Sequence, residues 1–77
     1  MIGDIFFLDR PGHIYFVKCQ RVMKMGELLT VVDMSQTTRD DIVIVNFVTS
    51  SEEIISLRVS VFDITMQLAA YDLRRII

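Results

Sequence analysis

The chain has 77 residues, 52% of them hydrophobic, with eight Lys or Arg against ten Asp or Glu and a formal net charge of −2. That length fits one small domain, which buries about 60% of the surface its unfolded form exposes. So weak a net charge implies neither a polyanion partner nor a DNA mimic, and the apolar excess leaves surface that a partner is expected to cover.

Charge is unevenly spread. Arg10, Lys18, Arg21 and Lys24 lie in a stretch without acids, whereas Glu27 to Glu53 holds six acids and only Arg39. A single cysteine, Cys19, cannot close an internal disulfide, and the N-terminal residues lack the basic-then-apolar order of a secretory signal. No apolar run approaches a membrane span, so a cytoplasmic protein without membrane contact is expected.

Taken in order, Gly3–Leu8 reads as a first strand, rich in aromatic and branched residues. Arg10-Pro11-Gly12-His13 then reads as a turn, with proline setting φ and glycine accepting a positive one. A long second strand is expected from about His13 to Met25, bulged at Arg21, with Tyr15, Val17, Cys19, Met23 and Met25 on one face. Gly3–Leu8 with Gly12-His13 resembles the opening of the MazF-like toxin barrels. That resemblance spans a dozen residues, lacks the basic Arg-Pro segment that should follow, and implies no activity here.

Met25-Gly26 reads as a two-residue hairpin loop. In that register Lys24 faces Glu27, Val22 faces Leu29, Lys18 faces Asp33, Met23 faces Leu28 and Cys19 faces Val32. Ser35–Asp41 is wholly polar and reads as a loop. The clearest pair of strands follows: 41–48 is apolar on both faces except at Asn46, and 54–61 alternates. With Val48 opposite Ile54, the inner face pairs Phe47 with Ile55, Val45 with Leu57 and Val43 with Val59. The outer face pairs Ile42 with Ser60, Ile44 with Arg58 and Asn46 with Ser56. Ile42, Ile44, Val48 and Ile54 are then left facing away from the core.

A C-terminal helix is expected over about 62–75, capped by Ser60 or Asp63, with Arg74 and Arg75 at the negative end of its dipole. Phe62, Met66, Ala69, Leu73 and Ile76 form one strip at helical spacing, and Ile64, Leu68 and Tyr71 form a second on roughly the opposite side. One strip buries against the sheet. The second, Ile64, Leu68 and Tyr71, either meets a partner or covers the edge of a small core. The fold expected is mainly β (α+β): a five-stranded, strongly curved antiparallel sheet or SH3-like small barrel with a C-terminal helix.

Chemistry is sparse. One histidine, His13, and one cysteine with no close Cys/His spacing supply no metal site, and Cys19 fits a core position on its strand. Asp40-Asp41 and Glu52-Glu53 fit solvated loops, and three scattered glycines make no phosphate cradle. Neither an enzyme, a cofactor nor a small-molecule substrate is expected. The reading is a small protein–protein interaction module, a homo-oligomer or an accessory or inhibitory protein bound to a larger partner. Its interaction residues are Ile42, Ile44, Val48 and Ile54, with Ile64, Leu68 and Tyr71 from the helix. The alternative is a weak nucleic-acid-binding small barrel using Arg10, Lys18, Arg21 and Lys24 beside Phe6, Phe7, Tyr15 and Phe16.

Overall fold

The computed structural model describes residues 1–9, 12–13, 22–23 and 25–76, with the backbone alone at 12–13 and 22–23. Its elements are β1 (Ile5–Leu8), β2 (Gly12–His13), β3 (Val22–Met23), β4 (Leu28–Gln36), β5 (Ile42–Thr49), β6 (Ile54–Ser60), α1 (Ile64–Ala70) and β7 (Leu73–Arg75). Five strands form one antiparallel sheet in the order β6-β5-β4-β1-β7, curled into a half-barrel, and β2 pairs with β3 apart from it. Helix α1 touches both β6 and β7, the two edges of the sheet, so it spans the open side of the half-barrel.

The core follows from alternation. Phe6 and Leu8 of β1, Leu29 and Val31 of β4, Val43, Val45 and Phe47 of β5, and Ile55, Leu57 and Val59 of β6 all point inward and are buried. Leu68 of α1 and Leu73 of β7 complete the cluster from the open side. Phe6 and Phe47 meet edge-on, with ring centroids 6.1 Å apart and planes at 89°. That geometry sets the positive edge of one ring against the negative face of the other and contributes about 0.5–1.5 kcal/mol beyond area burial.

Two irregularities bend the sheet. In β4 the register with β5 slips between Val31, opposite Phe47, and Asp33, opposite Asn46, leaving Val32 as an extra residue. Regular alternation would send Asp33 inward after Leu29 and Val31. The bulge keeps Val32 and Asp33 exposed and turns Met34, opposite Val45, onto the core. At the start of β4 the Leu8 carbonyl accepts from Gly26 N (2.7 Å) while Leu8 N donates to the Glu27 carbonyl (3.1 Å). Two residues therefore oppose one, and the first of them, Gly26, has φ +83. This is the bulge form that favours glycine, because a left-handed residue with a side chain is strained.

The β5–β6 hairpin has the register read from the sequence, pair for pair from Ile42–Ser60 to Val48–Ile54. Its turn is held by Thr49, buried, whose hydroxyl accepts from Ser51 N (3.2 Å) and Glu53 N (3.1 Å).

Elsewhere the expected pairing is corrected. Leu28 and Leu29 pair with Phe7 and Phe6 of β1, not with Met23 and Val22, which pair with Gly12 and His13. Gly12 and His13 are thus in a ladder, not a turn. Phe6 against Leu29 is a core pair joining two buried residues, and that outweighs the match of charges on which the other register rested. The pairs expected for Lys18, Cys19 and Lys24, and the bulge at Arg21, lie outside the described residues.

The C-terminal segment is also corrected. The helix is seven residues long, Ile64–Ala70, not about 62–75, and Leu73–Arg75 is a strand on β1. Asp63 is its N-cap, with Oδ1 accepting from Met66 N at 3.3 Å, and Ser60 Oγ accepts from Phe62 N just before it. Asp72 at φ 62 ends the helical path and turns the chain into β7.

Candidate outer-face interaction site

On the outer face, cross-strand partners line up in rows perpendicular to the strands. Ile5 stands opposite Thr30, Thr30 opposite Val48, and Val48 opposite Ile54, so one row crosses β1, β4, β5 and β6. Beside it, Phe7 stands opposite Leu28. On the other side Val32 protrudes at the bulge. Ile54 is 59% exposed, Leu28 44% and Val32 41%, while Ile5, Phe7, Ile42, Ile44 and Val48 are half-buried.

A polar rung divides this apolar surface. Asn46 Nδ2 donates to Ser35 Oγ at 3.1 Å, and Ser56 Oγ donates to Asn46 Oδ1 at 2.6 Å, joining β4, β5 and β6. Ser56 is only 3% exposed. Asn46 is the one polar residue inside the apolar run of β5, and its amide is occupied by its own sheet. A polar group already satisfied this way is inexpensive to cover. Beyond the rung, Ser35, Ile44 and Arg58 form the next row, and Ile42 stands opposite Ser60.

Most described charges elsewhere are paired. Arg74 Nε meets Asp9 Oδ2 at 2.5 Å, Arg75 meets Asp4 at 3.4 Å, and Arg39 holds Asp41 through two bonds of 3.1 and 2.7 Å. The Arg39 hydrogen bond holds the Asp41 carboxyl below the ordinary aspartate value, against the opposing effect of desolvation. Arg74 and Arg75, expected at a helix end, instead tie β7 to the residues flanking β1. On the outer face, Asp33 and Arg58 make no ion pair among the described residues.

The expected interaction residues therefore separate into two groups. Ile42, Ile44, Val48 and Ile54 share the outer face, as read. Leu68 is fully buried, and Ile64 and Tyr71 pack on the core, so the second helical strip is the one that closes the half-barrel. Of the other strip, Phe62 and Met66 face outward, at 85% and 68% exposure, while Leu73 is buried in the core from β7. The sequence reading missed Ile5, Phe7, Leu28 and Val32 as parts of the face. Alternation of Ile5 and Phe7 against Phe6 and Leu8 was the signal for the first two, and the bulge hid Val32. Arg10, Lys18, Arg21 and Lys24 lie outside the described residues.

Among the described residues no three His, Cys, Asp or Glu side chains converge as a metal site, and no helix is long and apolar enough to cross a membrane. Compared with known proteins, the chain matches no family model, and no curated protein or solved structure is significantly similar to it.

Proposed function

We propose that this chain is a protein–protein interaction module whose working surface is the outer face of β4, β5 and β6. The observation that carries the reading is the row Ile5, Thr30, Val48 and Ile54, apolar except at Thr30 and flanked by Leu28 and Val32, beside a polar rung whose hydrogen bonds are internally made. Apolar surface of this kind, continuous across four strands, is what a partner removes from water. In its finer form the reading is of a cytoplasmic accessory or inhibitory protein that works by occupying a larger partner. The lone Cys19 supports a reducing compartment, and the number and curl of the strands support an SH3-like style of barrel.

Affinity capture tests this with tagged chain as bait, in cells that also express an untagged copy. Wild type is expected to retain a protein, the untagged copy included, that Ile44→Asp releases. Arg58 stands opposite Ile44 on β6 and gives the new carboxylate a counter-charge, so the variant keeps its fold. Equal retention by wild type and variant, or retention by neither, would overturn the reading.

A further inference from the structure

We infer that the outer face takes a second copy of this chain, packed face to face about a two-fold axis lying along β5; this rests on the interaction-module reading above. What lies on either side of β5 selects the occupant. Strands β4 and β6 flank it, one carrying Asp33 and the other Arg58, and neither residue has an ion-pair partner among the described residues. Along β5 itself run Ile42, Ile44 and Val48. A two-fold interface brings each residue to its counterpart's neighbours, so a face that is to bind itself needs an apolar seam on the axis and opposite charges on opposite sides of it. This face has both.

The orientation of the axis follows from the charges. An axis along β5 lays β5 on β5 of the second copy and each β4 over the other's β6. Rows are preserved: Ile44 meets Ile44 of the second copy, and Val48 meets Val48. Thr30 lies over Ile54, and Ser35 over Arg58. Asp33 is one row from Ser35 along β4, about 7 Å at two residues of strand rise, within the span of an extended arginine side chain. An axis across the strands would instead leave each Asp33 over β4 and each Arg58 over β6, and the charges would not meet. The rung of Ser35, Asn46 and Ser56 sits at the centre of the contact with the amide oxygen and one amide N–H of Asn46 already bonded, so closing water out leaves only the second Nδ2–H of each Asn46 to be paired across the axis. Because the sheet is curled, contact is confined to the three strands around the axis.

Sedimentation equilibrium of the purified chain over a concentration series is the test, with circular dichroism confirming the fold of each variant. Wild type is expected to reach twice the monomer mass. Asp33→Arg and Arg58→Asp are each expected to weaken association at least about tenfold, which corresponds to about 1.4 kcal/mol. The double exchange, Asp33→Arg with Arg58→Asp, is expected to recover most of the loss, because the pair is re-formed with its signs reversed. A chain that stays monomeric throughout, or a double exchange no tighter than either single one, would overturn the inference. Monomeric chain that still retains another protein, and loses it with Ile44→Asp, would overturn the second copy as occupant while leaving the module reading standing.

Discussion

The two faces of β5 are built from the same kinds of residue and do opposite work. Inward, Val43, Val45 and Phe47 are buried, opposed by Val59, Leu57 and Ile55 and capped from the open side by Leu68 and Leu73. Outward, Ile42, Ile44 and Val48 are as apolar, yet they stay half-buried beside a polar rung. The difference lies in what each face has opposite it. The inner face has strands and a helix folded around it by the curl of the sheet, whereas the outer face of the half-barrel turns away from α1 and β7, the described elements that close the inner one. Hydrophobicity alone therefore does not assign a residue to the core of so small a domain; enclosure does.

Truncation on the inner face sharpens this contrast most. Phe47→Ala removes one ring of the edge-on pair and opens a cavity at the centre of the core, with an expected loss of about 3–5 kcal/mol in denaturant unfolding. On the outer face the sensitive position is the polar one. Asn46→Ala strips the acceptor from the Ser56 hydroxyl in a nearly closed position and the donor from Ser35, and is expected to destabilise by about 1–3 kcal/mol. An effect at Asn46 as large as that at Phe47 would mean that the outer face is as much a part of the core as the inner one.

Smallest is the effect at the exposed turn between β4 and β5. Asp41 is held below the ordinary aspartate value by Arg39, so its contribution is present above the unfolded-state value and is lost as pH falls through the lowered folded-state one. Arg39→Ala is expected to move the Asp41 titration upward in carboxyl NMR while leaving the unfolding midpoint near neutral pH unchanged. A pair this exposed adds little to stability.

How much of this was legible beforehand differs by segment, for physical reasons. The hairpin of β5 and β6 was readable to the residue because a slip of one would have carried Phe47, Val45 and Leu57 out of the core together. The same alternation placed Ile42, Ile44, Val48 and Ile54 on one surface. Pairing between β1 and β4 was not readable, because a nearby hairpin at Met25-Gly26 satisfied local rules equally well. Gly26 does turn at positive φ, but as a bulge against Leu8. At the C-terminal segment, two strips at helical spacing were visible and nothing local chose between them. The choice came from length: Asp72 enters the left-handed region with neither glycine nor proline to announce it, the helix stops, and Leu73 reaches the core from a strand. The extension of the face through Val32 depended on a bulge, which leaves no periodic trace.

Strand β7 lies against β1, and Ile76 N donates to the carbonyl of Ile5 at 2.7 Å across a separation of about 70 residues. The sheet thus joins its most distant segments last, since β1 remains an open edge until residues 73–75 arrive. Closing so long a loop carries its entropy before any reward, so this pairing is expected to form more slowly than a local hairpin. The β5–β6 pair closes within a short stretch of chain, whereas β1 gains its second neighbour only from residues 73–75. Until those residues add β7, β1 offers an unpaired edge, and mispairing at that edge is the hazard this topology is expected to carry.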